Sequence, residues 1–221
     1  MRKSLELDVL EWSAIVSAET VEDFGATQPA TIIPSAQRRR LPSFSRDVLR
    51  SALPLLQASP ARPIVLSSPH GDLTSTVTLL TDIARREVLS PSLFGLSVHN
   101  APAGALSLML EQPGDQISLA GDDATLAAGL TEVYARLVTQ SNASPILLIH
   151  ADERVPPAYS NFEIDDAPSV VLAMMLRLAE GDAAAVEPGI GRAGAAAVVG
   201  ALCAGQRRLR FSPPRVKALA A

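Results

Sequence analysis

The sequence predicts an α/β domain, and three observations carry that prediction. Short apolar runs alternate about four times with longer segments of helical periodicity, the pattern of strand–helix–strand units around a largely parallel sheet. Two of those runs, 62–68 (RPIVLSS) and 145–152 (PILLIHAD), are apolar nearly throughout, as central strands covered on both faces are. The composition agrees: 48 % of the 221 residues are hydrophobic, only 4 % aromatic, and alanine dominates, which suits helices and buried sheet over a sizeable core.

The elements follow in order. LELDVLEWSAI alternates leucine with acidic residues and reads as a half-exposed strand. Residues 17–42 are polar and proline-containing, a loop with one short helical turn. A helix from Ser45 places Val48, Leu49, Ala52, Leu53 and Leu56 on one face, with Pro54 threatening its far end. After the 62–68 strand, Leu73–Val88 sets Leu73, Val77, Leu80, Ala84 and Val88 at helical spacing. LFGLSV reads as a third strand running into an apolar helix. QISLA is a fourth strand, GDD caps a helix from about Ala124 to Gln140, and PILLIHAD is the fifth. SVVLAMMLRL would pack back on the sheet as one more strand. Residues 181–221 form a tail with a helix at about Ala193–Ala204 and a short strand RRLRF, and a boundary at about residue 180 separates it from the main domain.

Bulk properties narrow the function. A net charge of −4 argues against nucleic acid, although arginines cluster at Arg38–Arg40 and at Arg207, Arg208 and Arg210. Cys203 is the single cysteine, so neither an internal disulfide nor a cysteine-based metal site is available. The first residues lack the apolar core of a signal peptide, and VVLAMML and AGAAAVVGALCAG are shorter than the roughly 20 residues that span a bilayer. The expectation is a cytoplasmic protein with no membrane span, no nucleic-acid partner and no cofactor.

The corner Ser97-Val98-His99-Asn100-Ala101-Pro102 draws the eye. Asn100 suits a helix N-cap, and Pro102 fits a first helical turn, where its missing N–H costs little. His70, Asp72 and His99, with serines nearby, allow a hydrolase triad to be imagined, but no Gly-x-Ser-x-Gly elbow accompanies them. His70, His99 and His150 all follow strands, yet no paired spacing supports a metal site. GIGRAG, residues 189–194, imitates a phosphate-binding loop without a preceding strand, so it reads as a helix start. Cys203, within a small-residue apolar helix, reads as a buried, inert thiol.

SVHNAPAGALSL resembles the nucleophile elbow of β-ketoacyl synthases in the thiolase-like superfamily. RRRLPSFSRDVLRSALPLL, SSPHGDLTSTVTLLTDIARREVLSPSLFGLSVHNAPAG and AGDDATLAAGLTEVYARL are similar to the N-terminal half of such enzymes, of the chain length factor type, across about residues 36–177. The resemblance implies a thiolase-like half: a five-stranded mixed sheet with helices on both faces, in which Phe94–Val98 is an edge strand in need of a partner. Laid on the elbow pattern, Pro102 falls where the family has its cysteine. A proline supplies neither thiolate nor oxyanion-hole N–H, the latter a contribution of about 3 kcal/mol in comparable enzymes. The sequence given also stops short of the second ketosynthase half with its catalytic histidines.

The implied function is therefore a non-catalytic subunit of a 3-oxoacyl-acyl carrier protein synthase complex, in fatty-acid, polyketide or aryl polyene biosynthesis. Its partner would be an active β-ketoacyl synthase in a heterodimer, or a second copy in a homodimer, with acyl carrier protein as a further acidic partner for the arginines. His70, Gly71, Phe94, Ser97, His99, Asn100 and Pro102 would shape the interface or an acyl tunnel. The alternative is a hydrolase or acyltransferase with a site rebuilt from His70, Asp72 and His99.

Overall fold

The computed structural model describes residues 4–17, 21–26, 33–58, 63–111, 114–140, 144–163 and 165–214. Strand β1 (Leu5–Ser17) is followed by the short β2 (Val21–Gly25), one turn of helix α1 (Ser35–Arg38) and α2 (Ser43–Ala58). Strand β3 (Ile64–Ser67) precedes three helices, α3 (Leu73–Arg85), α4 (Pro91–Ser97) and α5 (Ala101–Met109). Then come β4 (Gln116–Leu119), α6 (Thr125–Thr139), β5 (Ile146–Asp152), β6 (Ser169–Leu178), α7 (Gly191–Cys203) and β7 (Arg208–Phe211).

The sheet has seven strands, not five, in the order β2-β1-β6-β5-β3-β4, with β7 also paired to β1. Among the described strands, parallel pairing joins β5, β3 and β4, whereas β6 runs antiparallel to both β5 and β1. The two extra strands share one side of β1: β2 takes Ser13–Ser17 and β7 takes Leu5–Asp8. The VEDFG strand is short and mostly polar, so nothing in its residues but its pairing makes it a strand.

Two apolar layers sandwich the sheet. Ile146, Leu148, Leu172 and Met174 face α6 and α7, while Leu147, Ile149, Val171 and Ala173 face α2 and α5. Because alternate side chains leave opposite faces, a strand buried on both must be apolar along its body, as Ile146–Ile149 of β5 and Val170–Leu176 of β6 are. In β1 a bulge between Val9 and Glu11 inserts one residue, and Leu10 is left 42 % exposed. The insertion shifts the phase, so Leu7 and Val9 before it and Trp12 and Ala14 after it all reach the same core.

Local signals explain most boundaries. Pro54 does not end α2, which runs to Ala58 with Val48, Leu49, Ala52, Leu53 and Leu56 buried. That burial outweighs a proline penalty of about 3 kcal/mol. Asp72 caps α3, its Oδ1 accepting the Ser75 N–H at 2.9 Å. The tail joins the main core: Val198 and Leu202 of α7 and Leu209 and Phe211 of β7 pack with α6. Arg208 of β7 donates to both Asp8 oxygens, at 2.8 and 3.2 Å, and to the Glu180 carbonyl at 2.7 Å.

The segment Phe94–Val98 is not a strand. Ser90 accepts the Leu93 N–H at 3.3 Å, Pro91 opens the first turn, and residues 91–97 coil into α4. A six-residue apolar run carries no decisive period, and the Ser-Pro start settles it as helix. The free edge on this side of the sheet is β4.

Leu209, 1 % exposed, tests the unity of this core. Leu209→Ala should lower stability by about 2–4 kcal/mol, with urea unfolding still a single transition. A separate early transition for the tail would show that α7 and β7 fold as their own unit.

Candidate functional site

The carboxyl ends of β3, β4 and β5 open onto a cavity of about 260 Å³. Ligand sites of open α/β sheets lie at such ends, where successive connections leave on opposite faces. Here α5 lies on one face of the sheet and α6 on the other. The walls come from Pro69 and His70 after β3, Asp122 and Asp123 after β4, His150 and Asp152 of β5, Phe162 and Glu163, and Arg192 of α7.

His150 is 1 % exposed, and its Nδ1 lies 3.1 Å from Ser67 Oγ on the neighbouring strand. Among the described residues no protein group reaches its Nε2. Burial lowers the imidazole pKa to about 4, so the ring is neutral at physiological pH. Asp152 is pushed up to about 6 by burial, against the pull of Arg192. Glu153 is pushed up to about 7, first by burial and then by the facing carboxylates of Asp72 and Asp47. It lines a second cavity, also about 260 Å³, beside Asp47, Ile15 and Val171.

Arg192, 2 % exposed, is the one charge between Glu187 and Arg207 in the sequence. Its Nε donates to the Ala167 carbonyl at 2.9 Å. Its Nη2 reaches Glu163 at 3.1 Å and the Asp165 carboxylate at 3.3 Å, and also donates to the Asp165 carbonyl. Asp165 Oδ2 further accepts the Ala193 N–H at 3.1 Å. The first turn of α7 is thus held by the protein's own carboxylate. GIGRAG is a packing motif: a Cβ on Gly194 would lie 2.3 Å from the Gly189 carbonyl carbon.

The residues singled out in the sequence lie to one side of this cavity. His70 is exposed at its rim, in the loop after β3. Gly71 is buried with φ +61°, and a Cβ there would meet His99 Cδ2 at 3.1 Å. His99 Nε2 lies 2.8 Å from the Ser68 carbonyl oxygen, which ties the β3 loop to the α4–α5 turn. Asp72 spends its carboxylate on Ser75, accepting from its N–H and, at 2.6 Å, from its hydroxyl. Asp72, His70 and His99 are therefore not joined as a triad.

Phe94 is 61 % exposed on α4, and Ser97 Oγ donates to the Phe94 carbonyl at 2.9 Å. Asn100 occupies the N-cap position of α5 but makes no side-chain cap bond, because its φ of −93° and ψ of 1° are not the extended values that aim the side chain at the turn. Pro102 is buried in the first turn of α5, as its missing N–H allows. That turn follows a helix, however, and not a strand. The strand-to-helix corners that open onto the cavity are Ser68–Asp72, between β3 and α3, and Ala120–Thr125, between β4 and α6, where Asp122 adopts a left-handed φ of +55°. Cys203 is exposed at the end of α7, not buried. Among the described residues no three His, Cys, Asp or Glu groups are placed to hold a metal ion, and no helix is long and apolar enough to cross a membrane.

The sequence reading missed Glu163, Asp165 and Arg192, and weighed Ser67 only beside His70 and His99, not beside His150. The one available signal was the isolated arginine in a stretch of small residues, matched by the acidic run 163–166.

The chain belongs to the family described as the β-ketoacyl synthase N-terminal domain, whose model matches residues 11–201. Among solved structures it is similar to a ketosynthase (ApeO) in complex with its chain length factor (ApeC) from Xenorhabdus doucetiae, at 26 % identity and TM-score 0.68, over 80 % of this chain and 81 % of that one. It is also similar to the ishigamide ketosynthase/chain length factor (15 %, TM-score 0.57, 80 % of this chain and 63 % of that one). A β-ketoacyl synthase from Burkholderia phymatum STM815 shares the fold as well (12 %, TM-score 0.59, 79 % and 59 %). The chain thus spans less than two thirds of the length of the last two. No curated protein matches it.

Gly129 of α6 is where the helix meets the sheet: a Cβ there would lie 2.9 Å from Leu148 Cδ1 and from Ser67 Cβ and Oγ. Gly129→Ala should push α6 off β3 and β5 and lower stability by about 1–3 kcal/mol, read by thermal unfolding. Glu153 gives a pH test. Its folded pKa is raised, so its contribution is fully present below the ordinary carboxylate range and lost as pH rises through about 7. Glu153→Gln should therefore match the parent protein in acid and exceed it by about 2 kcal/mol above neutrality in urea titrations, the partial exposure of Glu153 already discounted.

Proposed function

We propose that this chain is a non-catalytic, chain length factor-like subunit that pairs with an active β-ketoacyl synthase. The observation that carries the reading is the strand-to-helix corner between β4 and α6. Ketosynthase-type chemistry needs a thiolate there, activated by the helix end. This chain has Gly121, Asp122 and Asp123 at that corner, and its single cysteine is exposed at the end of α7. Two carboxylates at a helix N-terminus suit its dipole but offer no acyl-transfer nucleophile of comparable strength.

The surface supports a partner. Leu80, Ile83, Val88, Phe94, Val98 and Leu108 are all exposed, from α3 to α5. A cavity of about 790 Å³ lies between α1, α4 and α5, with Leu41, Leu96, Ala105, Leu108 and Met109 as its apolar walls and Arg40 among its polar ones. Strand β4 leaves its outer edge open to pairing. Exposed apolar surface of this extent around a free strand edge marks an interface in soluble proteins. In this reading the α4–α5 turn and Phe94 line the contact with the synthase, and the apolar cavity walls the end of an acyl tunnel. The first structural neighbour, a ketosynthase in complex with its chain length factor, supports the same assignment.

The rebuilt-hydrolase alternative is disfavoured because Asp72 is a helix cap and His99 holds a backbone carbonyl.

Co-expression with an active ketosynthase from the same genome should yield a one-to-one complex in light scattering. Its condensing activity should vanish when the synthase cysteine is replaced, and survive Cys203→Ala in this chain. Phe94→Asp combined with Leu108→Asp should dissociate it. A homodimer indifferent to the synthase would sink the assignment.

A further inference from the structure

The groove between α1, α4 and α5 carries two features that a tunnel end does not account for. Gly95 is the first. It sits in the middle of α4, where a residue without a side chain weakens the helix. Nothing in the fold requires it, because its φ is not left-handed. Beyond its chain neighbours and its own helix backbone, no described atom lies within 4 Å of where a Cβ would stand. The missing side chain instead leaves the groove open along α4, beside Leu96 and the α5 residues Leu108 and Met109. Bare helix backbone flanked by apolar side chains admits a slender alkyl chain at close range.

The second feature is charge. Gln37 and Arg40 line the groove from its α1 side. The Arg40 side chain is exposed, and among the described residues no carboxylate pairs with it. The rest of the wall is apolar but for Ser92, whose Oγ lies 3.1 Å from that of Ser90. An acyl chain tethered as a thioester ends in a methyl group, which gains nothing from a guanidinium. An apolar groove with a single free cation is complementary to a tail that ends in an anion.

Size and charge narrow the occupant. A volume of about 790 Å³ falls within the range of about 300–1,000 Å³ typical of small-molecule sites. With one guanidinium in the wall, the head carries one negative charge, as a carboxylate does and a doubly charged phosphate does not. We propose that this groove binds a free straight-chain fatty acid. Its carboxylate accepts from Arg40 and from the Gln37 amide, and its tail lies along Gly95, Leu96, Leu108 and Met109. The proposal goes beyond pairing, since it needs no synthase, and rests on that reading only in taking the groove as an acyl surface.

The test is calorimetric titration of the full chain with sodium decanoate, below the concentration at which it forms micelles. Saturable one-to-one binding is expected. Acetate, the head without the tail, should not bind, and decyltrimethylammonium, the same tail with a cationic head, should bind about tenfold more weakly. In methyl NMR of the methionine-labelled chain, Met109 should move with occupancy while the buried Met174 and Met175 stay put.

Gly95→Leu fills the groove without meeting another part of the chain, so its melting temperature should hold or rise while decanoate binding falls at least about tenfold. Arg40→Gln should weaken decanoate about tenfold and leave decyltrimethylammonium unchanged. Pairing with the synthase is scored separately by light scattering. Pairing without decanoate binding removes this proposal and leaves the subunit assignment, and decanoate binding without pairing does the reverse. The proposal is overturned by the absence of saturable binding, by equal binding of decyltrimethylammonium, or by undiminished decanoate binding in a folded Gly95→Leu or Arg40→Gln protein.

Discussion

Burial of β5 and β6 on both faces is the constraint from which the rest of this structure follows. Every residue from Ile146 to Asp152 is buried, as is every residue from Val170 to Leu176. Strands of that kind cannot stand at a sheet edge or face water on one side. They require strands on either side, which β3 and β1 supply, and a helical layer above and below. The layer of α6 and α7 and the layer of α2 and α5 answer that demand. With the strand bodies wholly apolar, polar chemistry is confined to the strand ends, and His150 and Asp152 stand at the carboxyl end of β5.

The close approach of α6 translates that constraint into a site. Gly129 lets the helix rest on Ser67 and Leu148. The same contact closes off Ser67 and His150 behind the helix. A buried imidazole in this setting is neutral, and the carboxyls beside it are pushed toward protonation for the same reason: charge without water is unfavourable. Arg192 meets Glu163 and Asp165 at the mouth, so the buried guanidinium of this cavity is balanced by the protein's own carboxylates.

Much of the fold was legible locally. The doubly apolar strands, the Leu73 helix, the helix after GDD and even the RRLRF strand of the tail all follow from period and capping. Two features resisted. VEDFG has no strand pattern and becomes β2 only because residues 13–17 offer it an edge. LFGLSV has a strand's composition and becomes α4 because Ser90 and Pro91 start a helix and the sheet does not receive it. The elbow reading of Ser97–Pro102 failed with it, since a corner between two helices cannot present a group at the end of a strand. The phase shift at Leu10 was likewise hidden, because a bulge is a property of the pair β1–β6 and not of either strand alone.

The sequence by itself determined the α/β class, the ketosynthase-type family and the presence of a single cysteine, because each depends on residue identity or on contacts within a few positions. Only the tertiary structure decided which strand is the free edge, which corner faces the cavity, and which charged groups share it. Ser67 and His150 are 83 residues apart, and Arg192 meets Glu163 across 29. Such pairings depend on how the chain crosses the sheet, and no local period records that.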